Sequence, residues 1–583
     1  MNTRATFILG PAEMAGLLRE FPDSLWSSDC IALTPDAYEY SKTDSRLQNI
    51  FYPSWVQAIR TFSIEDYRKV ELQLMLLEDD SSKMRGHMFL GDTNKVDWNY
   101  QSNFSIASML LSSRNFANQA FVNLMRYEEV EIIALGHAGE FYFDSCIQPA
   151  VLCHELKRLG IKASLILLDE RAKASTYQPQ LYESLPNLFS EKFIQGWSSV
   201  KKSVIVATSA IYSKDDQKKL ALVLNGAYPD AQPFIYPLPL WPVINASDLF
   251  YDRCSTLQAI GYLLDEARSK CLIYSEWLTS TTESFLINIF EDPTLQANHF
   301  FRAQIKRLHK RHLLQTLTYT GWKIALGVHK PQMLALTIQD SSINGPLASA
   351  AKFYGVDIVV FPHSHVVNWR TPCDCTVVTE WWQPMPSKTL WGNHNQCLYF
   401  DTPVFLHEKT SLSNRRPNWM VLYNGVQENL ANSVAWPFIQ QVVSLIEYQA
   451  KETKANVTHR LKPGDQTPVQ TFCELLGLEK SVVEDSLKAP LHDLLINTDL
   501  VVSVDDPSSA LWEALSLGCV VILVTDRILT NESLADGDIL SPICLGTFTN
   551  LLISFAQNPN SFNEYRLQQQ VKLSRLRTSR IEI

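Results

Sequence analysis

The chain has 583 residues and no excess of basic ones: 51 Lys and Arg stand against 61 Asp and Glu, a net charge of −10. A broad nucleic-acid interface leaves a basic imprint, so nucleic acid is not expected as a partner. No stretch approaches the ~18 uninterrupted apolar residues that a membrane-spanning helix needs. The opening MNTRATFILGPAEMAGLLREF has no long apolar core followed by a small-residue cleavage site, and reads as a strand and a helix rather than a signal peptide. Internal repeats, low-complexity tracts and heptad runs are absent as well. The 11 cysteines are odd in number and scattered, with Cys153, Cys519 and Cys544 in apolar runs. That usage fits reduced, buried thiols better than a disulfide framework, and the expected location is the cytoplasm. With 46% apolar and 19% charged residues the chain is globular by composition. Its length is too great for one core, which predicts two or three domains.

Short strands and polar loops over residues 1–125 read as an N-terminal α/β extension. A clearer rhythm begins at EVEIIALG (129–136), followed by a helical PAVLCHELKRLG (149–160) and the strand IKASLILLDE (161–170). KSVIVATS (202–209), QPFIYPLP (232–239), WKIALGVH (322–329), VDIVVFPHSH (356–365) and CTVVTEWW (375–382) read as further strands, with a mostly helical insertion over 254–320. Strands alternating with helical patterns predict parallel sheets. Residues 126–410 thus form a first domain. The polar HEKTSLSNRRPN (407–418) reads as a linker, and residues 411–583 as a second α/β domain with a terminal helix. The helix FFRAQIKRLHKRHLLQTL is basic; such a face is ordinarily solvated, and it also suits an anionic acceptor or a membrane surface.

VVSVDDPSSALWEALSLGCVVILVTD (501–526) is the most informative stretch. DLVVSV is a continuous apolar run, the mark of a strand covered on both faces. Asp506-Pro507 then suits a helix cap and first turn, which predicts a helix over 508–517 ended by Gly518. Trp512, Ala514 and Leu515 would face the sheet. Ser508 and Ser509 would stand in the first turn, beyond the carboxyl end of a parallel strand, where ligands of open α/β sheets bind. A helix start offers free N–H donors and about half a positive charge, suited to phosphate. Glu513, further along, could accept bonds from ribose hydroxyls. Simple capping would leave the same pattern.

In order, Ser503, Asp505, Ser508, Ser509, Glu513, Ala514 and Gly518 resemble the nucleotide-binding signature in the second domain of GT-B glycosyltransferases. Asp505 and Glu513, with seven residues between them, resemble the two-glutamate spacing of many retaining members. The double serine is similar to the motif that holds phosphate in bacterial CMP-sialic acid and Kdo transferases. THRLKPGDQ (458–466), which supplies Arg460, resembles their strand-end His-Pro motif, with Lys462-Pro463 in its place; a lysine there can pair with phosphate as a point charge. In VLYNGVQEN, Asn424 and Gly425 match the loop after the first strand of that domain. The resemblance spans residues 417–560. It implies an α/β GT-B fold with two Rossmann-like domains whose parallel sheets face a cleft, here with the N-terminal extension added. It further implies a CMP- or UDP-linked sugar donor, a glycan or lipid-linked acceptor in surface polysaccharide assembly, and no metal or cofactor. Basic segments would allow peripheral contact with the inner face of the membrane.

In such folds the acceptor and its base come from the first domain. GHAGEFYFDS (136–145) follows a strand and offers Glu140 and then His137, with Asp144 nearby, for taking the acceptor proton. FPHSH (361–365) places His363 and His365 after another strand, where the resemblance to surface-polysaccharide transferases implies that one of them could touch donor phosphate. The same histidines, with Cys373, Cys375, His394 and Cys397, allow a zinc reading, but Cys-Asp-Cys is tighter than the usual zinc spacing. Two other functions share the pattern: a nucleotide-sugar 2-epimerase, and a non-catalytic glycan-binding scaffold on a decayed transferase fold.

Overall fold

The structure, a computed structural model, describes residues 3–20, 28–61, 64–89, 100–135, 149–168, 203–207, 232–236, 265–298, parts of 301–326, 333–336, 344–360, 376–381, 396–400, 416–424, 436–462, 469–505, 509–526 and 539–581. Within them lie three sheets, and every strand pair is parallel. The expected class, α/β with parallel sheets, is therefore met.

The first unit runs β1 (Arg4–Ile8), α1 (Pro11–Glu20), β2 (Asp29–Ala32), α2 (Pro35–Ser41), α3 (Ser54–Gln57), α4 (Ile64–Met88), α5 (Tyr100–Leu124), β3 (Glu129–Leu135), α6 (Pro149–Arg158) and β4 (Ala163–Leu168), with strand order β2-β1-β3-β4. β1 pairs with β3 through Thr6↔Glu131. The expected boundary at 125/126 therefore cuts through a sheet: the N-terminal residues are not an extension but half of the first unit. One face of this sheet packs Phe7, Ile31, Val130 and Ile132 against α5 and α6, the other packs Ile8, Ala32 and Ile133 against α1.

The second unit runs β5 (Ser203–Ala207), β6 (Gln232–Tyr236), α7 (Asp265–Phe290), β7 (Met333–Leu336), α8 (Asn344–Phe353), β8 (Asp357–Val360), β9 (Thr376–Glu380) and β10 (Gln396–Phe400), in the order β10-β9-β8-β7-β5-β6. Two readings fail here. Lys323 and Leu326, inside the expected strand 322–329, are helical, and the strand lies instead at Met333–Leu336. The short apolar run QCLYF is also a strand, the outermost of this sheet. Helix α7 packs on α4 and α5, so the helical insertion joins the first unit's helices in one core with Leu74, Leu110, Leu286 and Phe290.

The third unit runs β11 (Asn418–Asn424), α9 (Trp436–Thr453), β12 (Asn456–Leu461), α10 (Val469–Leu476), α11 (Lys480–Lys488), α12 (Leu491–Ile496), β13 (Leu500–Asp505), α13 (Ser509–Ser516), β14 (Val520–Val524), α14 (Leu545–Gln557) and α15 (Pro559–Ile581), with order β12-β11-β13-β14. Alternate residues serve opposite faces, as strand geometry requires: Val421, Val502 and Ile522 meet α9 and α14, while Met420, Val501 and Val521 meet α13 and α15. In all three units the second strand lies outside the first, and the chain then crosses back to place its third strand on the first strand's other side. The resulting reversal of winding opens a crevice at the carboxyl ends of β1 and β3, β5 and β7, and β11 and β13.

Candidate functional site

β13 is buried on both faces, with Leu500, Val501, Val502, Ser503 and Val504 at no more than 1% exposure. It ends at Asp505, whose register partner on β11 is Asn424, also the last residue of its strand. These two residues flank the crevice of the third unit. On the other side of β11, Tyr423 pairs with Leu461, and Lys462 follows as the exposed first residue beyond β12. Lys462, Asn424 and Asp505 thus stand in one row along the carboxyl edge.

Helix α13 starts at Ser509, four residues past Asp505 and one later than expected. Leu511, Trp512, Ala514 and Leu515 bury its inner face. Gly518 closes it at φ +77°, a left-handed conformation that costs other residues about 1–2 kcal/mol. Its N–H bonds to the Leu515 carbonyl (3.0 Å), and the Cys519 N–H to that of Ala514 (3.0 Å). This closure fixes the helix axis so that its amino end points to the carboxyl edge of the sheet.

Two expected ligand residues are engaged within the protein. Arg460 is buried, and its Nη1 donates to the carbonyls of Ser486 and, at 3.0 Å, Ala489 at the end of α11. Burial lowers its pKa, against the raising influence of Glu513. Through Nη1 the guanidinium caps the end of α11. Glu513 is half-buried, and its Oε1 lies 3.2 Å from Nδ1 of His492 in the first turn of α12. Gly425, Pro463 and Ser508 lie outside the described residues, as do His137, Glu140 and Asp144 beyond β3 and His363 and His365 beyond β8.

A network that the sequence reading passed over lies just behind the edge. The buried Tyr423 hydroxyl donates to His459 Nδ1 (2.6 Å), and His459 Nε2 donates to Glu447 Oε1 of α9 (2.8 Å). The Nε2-protonated tautomer satisfies both contacts. The bond from His459 holds the Glu447 carboxyl below its usual value. The chain of three ties β11, β12 and α9 together one residue before Asn424. His459 stood in the THRLKP motif, but its partner Glu447 is 12 positions upstream with no spacing signal.

The third unit touches the first through segments that follow strand carboxyl ends on both sides. Trp436 Nε1 donates to the Tyr52 hydroxyl (3.1 Å), Lys42 pairs with Glu474 (2.5 Å), Thr471 bonds Glu39, and Arg60 pairs with Asp526. Lys42 holds the Glu474 carboxyl below its usual value. These contacts join α2 and the chain from Tyr52 to Arg60 to α9, α10 and the end of β14. The third unit thus packs on the amino-terminal 60 residues, and not only on the chain between 126 and 410. The second unit joins it elsewhere, where Arg580 Nη1 donates to the Trp381 carbonyl (2.7 Å).

Among the described residues one group has the spacing of metal ligands, His154, Glu155 and Asp292. His154 Nε2 lies 3.0 Å from Asp292 Oδ2, while Glu155 accepts from Arg114 (3.2 Å) and Arg158 (2.8 Å). A cation there would meet two guanidinium groups, so the cluster is an ion-pair network joining α6 to the segment after α7. No described helix is long and apolar enough to cross a membrane.

No family model and no curated protein matches the sequence. Among solved structures the chain is similar to MurG of Acinetobacter baumannii, with a TM-score of 0.29 and 12% identity over 47% of this chain and 80% of that one. A TM-score of that size is too low to assign an activity.

Proposed function

We propose that the protein is a GT-B-type glycosyltransferase that moves a sugar from a CMP- or UDP-linked donor to a glycan or lipid-linked glycan acceptor in bacterial surface polysaccharide assembly. The observation that carries this reading is the row Lys462, Asn424 and Asp505 beside the amino end of α13, at a winding reversal. A nucleotide phosphate would take the N–H donors at the start of α13, the hydroxyls of Ser508 and Ser509, and the charge of Lys462. Asn424 and Gly425 would lie beside the sugar. Glu513, displaced from His492, would accept from the ribose hydroxyls, and Asp505 would face the sugar rather than the phosphate. Glu140 or His137, with Asp144 nearby, would take the acceptor proton, and His363 or His365 would approach the donor if the second unit reaches the cleft. Exclusion of water from the cleft would limit donor hydrolysis.

The test is the melting temperature with CMP, UDP, GDP and ADP, since a ligand bound only to the native state raises it. CMP or UDP should give the largest rise, and Ser508→Ala with Ser509→Ala should abolish it while the free protein melts as before. A protein indifferent to all four nucleotides would be no transferase of this kind.

A further inference from the structure

Tyr52 belongs to the first unit and reaches into the third. Its ring stacks on Tyr38, with centroids 5.7 Å apart and planes at 30°. It packs against both cores of the first unit and also against the third-unit core under α9 and α14. Its hydroxyl accepts the Trp436 Nε1–H at 3.1 Å. Trp436 is buried and opens α9, so it stands at the far end of the segment 425–435, which begins just past Asn424. The wholly buried Phe472 of α10 touches both ends of that segment. Its ring meets Tyr423 edge-on (4.8 Å, 76°) and Trp436 at a tilt (6.2 Å, 60°).

We infer that Tyr52 is a positioning residue for the donor-binding edge: from the first unit it holds Trp436, and through Phe472 and Tyr423 it sets where Asn424 stands. This rests on the transferase reading, which puts Asn424 and Gly425 beside the sugar. It adds that donor affinity depends on a residue of the first unit.

The packing explains how a distant hydroxyl reaches the edge. An indole N–H inside a core needs an acceptor, so without the Tyr52 oxygen the Trp436 ring must turn to find one. Close-packed interiors pass such a displacement on rather than absorb it, and edge-to-face aromatic pairs have a preferred geometry to lose. Phe472 moves with Trp436, and Tyr423 with Phe472. Tyr423 is the residue before Asn424, tied to His459 at 2.6 Å. A ligand loses affinity when the groups that meet it must first be brought into place. The other contacts of the first unit on α10, Lys42 with Glu474 and Glu39 with Thr471, lie outside this string of rings.

The experiment measures CMP and UDP affinity of the full-length protein by isothermal titration calorimetry, with the melting temperature of each free variant. Tyr52→Phe keeps the ring and removes the hydroxyl; it should weaken binding of the preferred nucleotide by about 10-fold. Trp436→Phe removes the donor of the same bond and should weaken binding to a similar degree. The double variant should bind no more weakly than the worse single one, because both changes break one interaction. Lys42→Ala, at the same boundary but off the string of rings, should stay within about twofold of native. Tyr52→Phe and Trp436→Phe proteins that melt lower yet bind within about twofold of native would make the tyrosine purely structural and overturn the assignment. Single losses that add in the double variant would overturn it too. A native protein that binds neither nucleotide would bring down the transferase reading, and this assignment with it.

Discussion

The first and third units are wound alike, β2-β1-β3-β4 and β12-β11-β13-β14, yet their carboxyl edges differ in chemistry. The third presents a lysine, an amide and the start of a buried helix; the first presents the Glu13 carboxyl over a glycine turn. One frame thus carries two edges of different chemistry. The winding determines where a crevice opens, and the few residues just past each strand determine what it holds.

The comparison can be broken most severely at the seat of α13. Trp512→Ala should cost about 3–5 kcal/mol, because the indole is buried in the core beside the sheet; urea unfolding would measure it. His459→Ala should cost about 2–3 kcal/mol, since it leaves the buried Tyr423 hydroxyl without an acceptor. The same variant should weaken nucleotide binding if the network positions Asn424. Gly518→Ala should cost about 1–2 kcal/mol through its positive φ.

Acid and base titration sharpens the contrast further, because two glutamates move in opposite directions. Glu447 is held below 4.5 by His459, so its contribution is present above that pH and lost as pH falls through the folded value. Glu13 is held above 4.5 by burial, so the unfolded chain gives up its proton first and stability declines as pH rises from 4.5 through the folded value. Glu447→Gln should flatten the acid limb of a stability–pH curve, and Glu13→Gln should flatten the decline toward neutrality. The smallest effect belongs to the contact between the units. Lys42→Ala should cost no more than about 0.5 kcal/mol, and less in high salt, because both partners of that ion pair are partly exposed and screened.

Much of the third unit was legible in the sequence, because its signals are local. A continuous apolar strand, an amphipathic stretch and the glycine after it read correctly as β13, α13 and its end. Long-range pairing was not legible. Nothing near Thr6 announces Glu131 as its neighbour, so the first unit was divided and its amino-terminal half set apart. The strand placed at 322–329 failed because WKIALGVH is apolar enough for either period, and helical packing decided it at Lys323 and Leu326. Arg460 read as a ligand from its motif; its bonds to the α11 carbonyls depend on residues 26 and 29 positions later. The lie of the Glu13 carboxyl over Gly10 was not legible, because an acid in a helix's first turn is commonplace.

The two facing units are separated in the chain by everything from Leu168 to Asn418. During synthesis the first would be complete long before its counterpart leaves the ribosome, and domains emerging in that way tend to fold in turn. Its waiting surface is built from Glu39, Lys42 and Arg60 around a single tyrosine. Such a wetted, charged face invites little premature association while the rest of the polypeptide is made.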